Sequence, residues 1–434
     1  MFNFKFKNLF LFFFKNLVRI SINIIILVHI KKFRESNKIL VNLGSFGHSI
    51  IDTSAFFSVY GSKSICISVG SSYDRNKYFK ELYKPNILIH YWLPRIKKHK
   101  VNLRVTTSLS IINSIEKSLL IKVINSKIRF CCKQFDAVDQ SAEQVLINDY
   151  AMSENKAHNL IKKFKDEFRN SDNINNSSLQ LLISNKSRQI VNLSPKMCKL
   201  SGEFNKTTRR LRAVYKTDKI YVCTLILRKS EKIWSGVGIN YYINIVKYLN
   251  GKNYIVHMIG DVKEVNYVKR KFNLTNVYTH TDYGINEKLF QILSVLNADF
   301  CFGEPSGAQT LPHFFDKKNL IINATSTGQL FYNSVLLPKI WCDQEGSKAS
   351  VELHFTDLLF RQSLLKLSNN VIFQPHFNSE ELALATLDLF LVAIRENSEI
   401  QFSNLVWKKF TDTNSLINFA SKADYSPLFF NALT

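Results

Sequence analysis

From residue 38 onward, short apolar runs alternate with longer stretches whose apolar positions recur every three or four residues. KILVNL (38–43), SICISVG (64–70) and NILIHYW (86–92) have the length and β-branched character of strands. Between the first two, Ile51, Ala55 and Phe56 share one helical face. Asp74 to Tyr83 can form a second helix, stopped by Pro85. Strand, glycine turn, helix, strand, helix, strand predicts the start of a parallel, doubly wound sheet.

The same rhythm returns after residue 218. Strands are predicted at 219–228, 253–261, 276–279, 298–307 and 319–323. Helices are predicted at 238–249, from 261 to about 272, at 287–296 and at 308–315. This is a second parallel sheet built like the first, so the fold class is α/β with two Rossmann-like domains. The stretch 95–215 is harder to read. Its one plain helix follows Ser153, with Glu154 in the first turn and Ala157, Leu160, Ile161, Phe164 and Phe168 on one face. Residues 170–178, NSDNINNSS, have loop composition.

Residues 1–35 stand apart. Phe10–Phe14 lies between Lys7 and Lys15, and the apolar run 17–30 is closed by Lys31, Lys32 and Arg34. That run is interrupted by Arg19 and Asn23 and is shorter than the roughly twenty residues a spanning helix needs. No small-residue cleavage site comes after it, so a secretory leader is not expected. Two readings remain: a segment lying on the cytoplasmic face of an anionic membrane, or a soluble amphipathic helix packed on the first domain. The membrane-surface reading is preferred.

A chain of 434 residues with 46% hydrophobic content has material for two cores. Its net charge of +24 would suit nucleic acid. The basic residues are spread along the chain, however, and no zinc-finger, RNA-recognition or helix-turn-helix pattern accompanies them. Nucleic acid is therefore not expected as a partner; anionic lipid or a phosphorylated substrate uses the charge as well. The seven cysteines form no C-x-x-C pair, which excludes the usual zinc spacing and fits a reducing cytoplasm.

Candidate chemistry sits where strands end, because open α/β sheets bind ligands beyond the carboxyl ends of their strands. In the first half, Gly44-Ser45-Phe46-Gly47-His48 comes directly after the first strand. Gly44 and Gly47 allow a sharp turn and close backbone approach, and His48 is suited to proton transfer near neutral pH. It could equally cap the next helix. In the second half, Arg228, then Gly260 and Asp261, then Glu304, Ser306 and Gly307 leave three strands. The Ser306-Gly307 helix start and Arg228 can meet a phosphate, and Glu304 can accept from ribose or sugar hydroxyls. Taken singly, Arg228 could be a surface ion pair, Asp261 a helix cap and Glu304 a loop carboxylate.

The stretch 221–355 resembles a family of bacterial glycosyltransferases found among surface-polysaccharide enzymes. The carriers are LILR (225–228), INYYINIVKYL (239–249), YIVHMIGD (254–261), TDYG (281–284), LNADFCFGEPSGAQTLPHFF (296–315), NLIIN (319–323) and LLPKIW (336–341) ahead of Glu352. GSFGH resembles the family's amino-terminal glycine-histidine segment less specifically. Members often carry His-x-Arg where Ile226 and Leu227 precede Arg228, and Arg-Asn where Ile239-Asn240 stands.

The resemblance implies the GT-B arrangement, two Rossmann-like domains facing a cleft. It further implies an acceptor domain over 36–210, a nucleotide-sugar domain over 211–380 and a helical segment over 381–434. No two aspartates stand two apart, so the Asp-x-Asp metal site of the other glycosyltransferase architecture is missing and no metal or cofactor is expected. The expected function is transfer of a sugar from a nucleotide-sugar donor to a cell-surface glycan or a lipid-linked acceptor. The alternatives are a nucleotide-sugar epimerase and a non-catalytic sugar- or lipid-binding protein of the same fold.

Overall fold

In a computed structural model of the chain, the structure describes residues 38–42, 64–70, 87–92, 130–131, 193–211, 221–228, 237–324, 334–348, 374–395 and 424–425, with scattered positions among 16–31, 78–82 and 153–159. The chain divides into two compact units, Met1–Ile161 and Lys162–Thr434.

The first unit holds a four-stranded parallel sheet in the order β3-β2-β1-β4. Its strands are β1 (Lys38–Asn42), β2 (Ser64–Gly70), β3 (Ile87–Trp92) and β4 (Phe130–Cys131). Three of the four are legible as apolar, β-branched runs. β1 has β2 on one side and β4 on the other, both parallel. The order therefore reverses at β1, and its carboxyl end is a topological switch point. Gly44, Gly47 and His48 lie just beyond it in sequence and outside the described residues. Near the amino terminus, Ile20, Ile24, Leu27 and Val28 are helical and 52–71% exposed. Among the described residues no helix is long and apolar enough to cross a membrane.

The second unit is built on a seven-stranded sheet, β13-β10-β9-β8-β5-β6-β7, parallel throughout. The strands are β5 (Tyr221–Ile226), β6 (Tyr254–Ile259), β7 (Val277–Tyr278), β8 (Phe300–Gly303), β9 (Lys318–Ala324), β10 (Ser334–Pro338) and β13 (Asp424–Tyr425). A separate antiparallel pair joins β11 (Ile340–Cys342) to β12 (Gln374–His376). The helices are α1 (Pro195–Leu211), α2 (Ile243–Gly251), α3 (Val262–Lys271), α4 (Glu287–Leu296), α5 (Thr310–Phe314) and α6 (Glu380–Arg395).

The strand period of two sorts the core onto two faces. Leu225, Val256, Met258, Phe300, Phe302, Leu320, Ile322 and Leu337 pack with Val246 and Leu249 of α2, Val265 and Val268 of α3, and Leu387 and Phe390 of α6. Each such buried side chain stabilises by about 1.5–3 kcal/mol relative to exposure. On the opposite face, Thr224 Oγ1 donates to Ser294 O of α4 at 2.9 Å. There too the His257 ring meets Phe204 of α1, Tyr283 and Phe290.

Helix α1 belongs to this second face, ahead of the residue-211 start expected from the sequence. Ser201 Oγ and Asn205 Nδ2 both donate to Asn297 Oδ1 at 2.8 Å, and Phe204 stacks on Tyr283 at 4.3 Å between ring centres. Tyr283 OH lies 2.6 Å from His257 Nε2 and 2.8 Å from Thr208 Oγ1, closing a buried polar chain from α1 to β6.

Candidate functional site

The register of the second sheet decides what can converge. Ile226 pairs with both Ile259 and Gly303, and Gly303 pairs with Ile321. The residues just past these pairs therefore stand along one rim: Leu227 and Arg228 after β5, Gly260 and Asp261 after β6, Glu304 after β8. β5 lies between β6 and β8, so the order reverses there, and the ends of β5 and β8 are where an open α/β sheet is expected to bind a ligand.

At that switch point the backbones come very close. Gly303 has φ +132°, and a Cβ there would overlap the carbonyl oxygen of Ile226, so only glycine fits. One residue on, Glu304 N donates to Ile226 O at 2.8 Å. The Glu304 carboxylate turns back over the end of β5. One oxygen accepts from Arg228 N at 2.8 Å and the other from Val237 N at 2.6 Å. Gly238 N–H also stabilises the charge. Glu304 thus ties together the two chain segments that flank residues 229–236.

Its own electrostatics reflect a compromise. Burial raises the Glu304 pKa, while the Arg228, Val237 and Gly238 N–H groups and the charge of Lys339 oppose the rise. Glu304 is fully buried, with both oxygens engaged by backbone. That geometry leaves it no exposed face for the ribose or sugar hydroxyls expected from the sequence; it builds the rim instead. Asp261 has a comparable duty. It caps α3, its Oδ1 accepting from Lys263 N at 3.0 Å. Gly260 lies against Leu227, whose Cβ would be 3.2 Å from an added Cβ.

Arg228 is the partly exposed cation of the rim. Its Nη1 donates to Pro305 O at 3.1 Å. Burial lowers its pKa and the nearby Glu304 charge raises it. Gly307 is exposed and opens a short 3-10 turn, Gly307–Gln309, which runs into α5. Ser306 Oγ and both side-chain amide atoms of Gln309 are buried without a hydrogen-bond partner among the described residues. A recess large enough for about one water, lined by Ile259, Gly260, Thr279, His280, Glu287 and Gln291 among others, opens beside the ends of β6 and β7.

Two features of the rim escape a reading of the sequence alone. Lys339, directly after β10, is buried and lies within electrostatic reach of Glu304 and Arg228. Asn323, at the end of β9, adopts a left-handed φ of 59° where the β9–β10 register shifts. Its Oδ1 accepts from Asn378 N at 2.9 Å and from Asn378 Nδ2 at 3.0 Å, and Asn378 Nδ2 also lies 2.8 Å from Pro338 O. Tyr241 OH lies 3.0 Å from the carbonyls of both Asn378 and Ser379. The only signal for these in the sequence is a polar residue set at the end of an apolar run.

The structure therefore brings Arg228, Gly260, Asp261, Glu304, Ser306 and Gly307 to one edge of one sheet. It does not describe Gly44, Gly47 or His48. Among the described residues no cluster of His, Cys, Asp and Glu is arranged to hold a metal.

No protein-family model matches the chain, and no curated protein matches it. Solved structures with partial likeness include a family 9 glycosyl transferase from Veillonella parvula DSM 2008, at 11% identity and TM-score 0.45, over 82% of this chain and 97% of that one. The E. coli ADP-heptose LPS heptosyltransferase II is 10% identical with TM-score 0.46, over 83% and 100% of the two chains. The UDP-GlcNAc 2-epimerase of Methanocaldococcus jannaschii is 11% identical with TM-score 0.33, over 82% and 99%. Likenesses at this level decide neither the activity nor the substrate.

Proposed function

We propose that this chain is a glycosyltransferase of GT-B arrangement that takes its sugar from a nucleotide-sugar donor. The observation that carries the reading is the rim of the second sheet. At the β5/β8 switch point a buried carboxylate, Glu304, holds the backbone N–H groups of Arg228 and Val237, and the partly exposed guanidinium of Arg228 donates to Pro305 O, two residues before exposed Gly307. A diphosphate is the ligand class that suits such a rim: Arg228 meets its charge, and Ser306 Oγ and backbone N–H groups complete its oxygens.

In the proposed reaction an acceptor hydroxyl attacks the anomeric carbon of the donor sugar. The bond from that carbon to the diphosphate oxygen breaks, and the nucleoside diphosphate leaves with the bonding pair. His48, which comes after β1 in sequence, takes the hydroxyl proton, and the single displacement inverts the anomeric carbon. Gly44 and Gly47, beside His48 in sequence, are the residue type that permits close approach by the acceptor, a cell-surface glycan or a lipid-linked sugar. Arg228 and the rim dipoles stabilise the leaving charge, so no metal or cofactor is required. Glu304 and Asp261 act on the donor through the rim they hold in shape.

Residues 1–35 are proposed to rest on the anionic cytoplasmic face of a membrane. Ile20, Ile24, Leu27 and Val28 recur at helical spacing and are exposed, and Lys31, Lys32 and Arg34 come next in the chain to meet lipid phosphates.

The test is a release assay with a panel of nucleotide sugars, with and without lipid-linked glycan acceptors. Release of nucleoside diphosphate that depends on acceptor and survives a chelator supports the reading. Interconversion of the donor sugar without release points to an epimerase. Binding without either outcome points to a non-catalytic protein.

A further inference from the structure

Helices α2 and α3 link β5 to β6 and β6 to β7, and both pack on the same face of the second sheet. Val246, Leu249, Val265 and Val268 point into the core beneath them. The outward side of α3 is different in kind. Lys263, Tyr267, Arg270 and Lys271 are all exposed there, and their spacing of three and four residues sets them on one helical face. Tyr267, at 56% exposure, is the most exposed large apolar side chain among the described residues of this unit.

Lys247 joins this face from α2. Its Nζ lies 5.3 Å from the centre of the Phe272 ring, and Lys271 Nζ lies 5.3 Å from the same ring. Lys271 Nζ is also 5.7 Å from the centre of the Tyr267 ring. Two ammonium groups and two rings therefore form one cluster that bridges the helices, with every contact inside the range of a cation–π attraction. Helix α2 contains no acidic residue. The one acid of α3, Glu264, sits in its first turn, where its Oε1 approaches Gly238. Lys269 turns aside to Asp282, 3.1 Å away.

This combination matches the surface of an anionic bilayer. Cations meet lipid phosphates, and a tyrosine ring sits at headgroup depth with its hydroxyl in water. A nucleic acid suits it less well. A base needs an open aromatic face to stack on, whereas two ammonium groups occupy the Phe272 ring and one occupies Tyr267.

We propose that the outer face of α2 and α3, around Lys247, Tyr267 and Lys271, docks on an anionic phospholipid membrane. This surface is separate from residues 1–35 and from the donor rim. Helix α3 leaves the rim at Asp261 and runs back along the sheet, which carries Lys271 about 15 Å from that edge.

The experiment is flotation of the full chain with phosphatidylcholine vesicles, with and without phosphatidylserine. A cation near such a surface strengthens binding by about fivefold. Lys247→Ala with Lys271→Ala should therefore weaken binding to the phosphatidylserine vesicles by roughly 30-fold, and high salt should shrink that loss. A charge-matched control, Lys196→Ala with Lys199→Ala, removes two exposed lysines from α1, on the other face of the sheet. It should change binding by no more than about twofold. ADP affinity should be the same in both variants. Tyr267→Trp should bind like wild type, and brominated lipid should quench its emission by more than that of wild type.

Equal weakening by the two lysine pairs would show that net charge alone drives binding, and overturns the proposal. So does a Lys247→Ala, Lys271→Ala chain that binds vesicles like wild type; if Lys31→Ala with Lys32→Ala then abolishes binding, residues 1–35 alone hold the membrane. Absence of added quenching in Tyr267→Trp overturns it as well. Loss of affinity for a single-stranded oligonucleotide, with vesicle binding kept, assigns the surface to nucleic acid instead. A wild-type chain that binds no phosphatidylserine vesicle removes both membrane contacts, and ADP binding in that chain leaves the donor rim standing.

Discussion

The first sheet runs β3-β2-β1-β4, and the second, read from its β7 edge, runs β7-β6-β5-β8 before adding β9, β10 and β13. In each the chain starts in the middle, builds outward through two strands, and returns to the other side of the first. Both therefore place a topological switch point at the end of their first strand. The residues just past that strand differ. After β5 comes Arg228, pinned through its own N–H by a carboxylate from β8. After β1 come two glycines and a histidine, with no acid or base between them. One topology is thus followed by different residues: charged groups held at the edge of the second sheet, and in the first a glycine-histidine stretch to which the proposal above gives the proton-transfer role.

The comparison breaks hardest at Gly303. A side chain there would need φ +132° and would collide with the Ile226 carbonyl. Gly303→Ala should lower stability by about 3 kcal/mol or more and abolish diphosphate binding with it, measured by chemical denaturation and calorimetry. Stability within about 0.5 kcal/mol of wild type would mean that the switch point of the second sheet is not the tight junction described.

Acid should act next, and on the second unit. His257 is fully buried, and burial pushes its pKa down to about 3, well below the value near 6.5 of an unfolded chain. Between those values the unfolded state binds more protons, so stability is full above about pH 6.5 and is lost as pH falls toward 3. The loss is roughly 3–5 kcal/mol for one such group. In His257→Phe that part of the acid sensitivity should vanish, at a cost near neutral pH of about 1 kcal/mol for the lost bond to Tyr283. An unchanged stability–pH curve would show that another group governs it.

His48→Ala sharpens the contrast from the other side. Turnover should fall by about 10²–10⁴, while stability and ADP affinity stay within about 0.5 kcal/mol of wild type. Equal loss of donor affinity would place His48 at the donor and dissolve the division of labour between the sheets.

Much of this is legible in the residues. Apolar runs such as KILVN, SICISVG, YIVHMI and KNLIINA announce central parallel strands, because strands buried on both faces have no polar alternation to hide them. Helix α4 is legible at its observed bounds, since Asn286 caps it and its apolar residues are dense. Helix α1 is obscure for the opposite reason. Only Met197, Phe204 and Thr208 are buried along it, and Gly202 sits in its middle, although Ser194 and Pro195 form a good start whose Oγ accepts from Met197 N. Strand β10 is obscure too, because Pro338 and Lys339 make SVLLPK look like a run that ends in a turn.

The site divides in the same way. Arg228, Asp261 and Glu304 are visible as polar residues at strand ends. Their roles are not, because whether a carboxylate faces a ligand or the backbone depends on register, and register is a tertiary property. Glu304 turns inward only because Ile226 and Gly303 pair directly. Lys339 is invisible for a related reason: a lysine after a proline reads as surface, and only the position of β10 beside β9 places it in the rim.

The most direct test of the donor rim is the affinity of nucleoside diphosphates for wild type and Arg228→Ala, each checked for equal thermal stability. Arg228 offers its guanidinium at the β5/β8 switch point, and a charge-assisted bond to phosphate contributes about 1.5–3 kcal/mol. Arg228→Ala should therefore weaken ADP or UDP binding by about 10–150-fold while leaving the fold intact. Unchanged affinity in a folded Arg228→Ala would contradict a donor site at this rim.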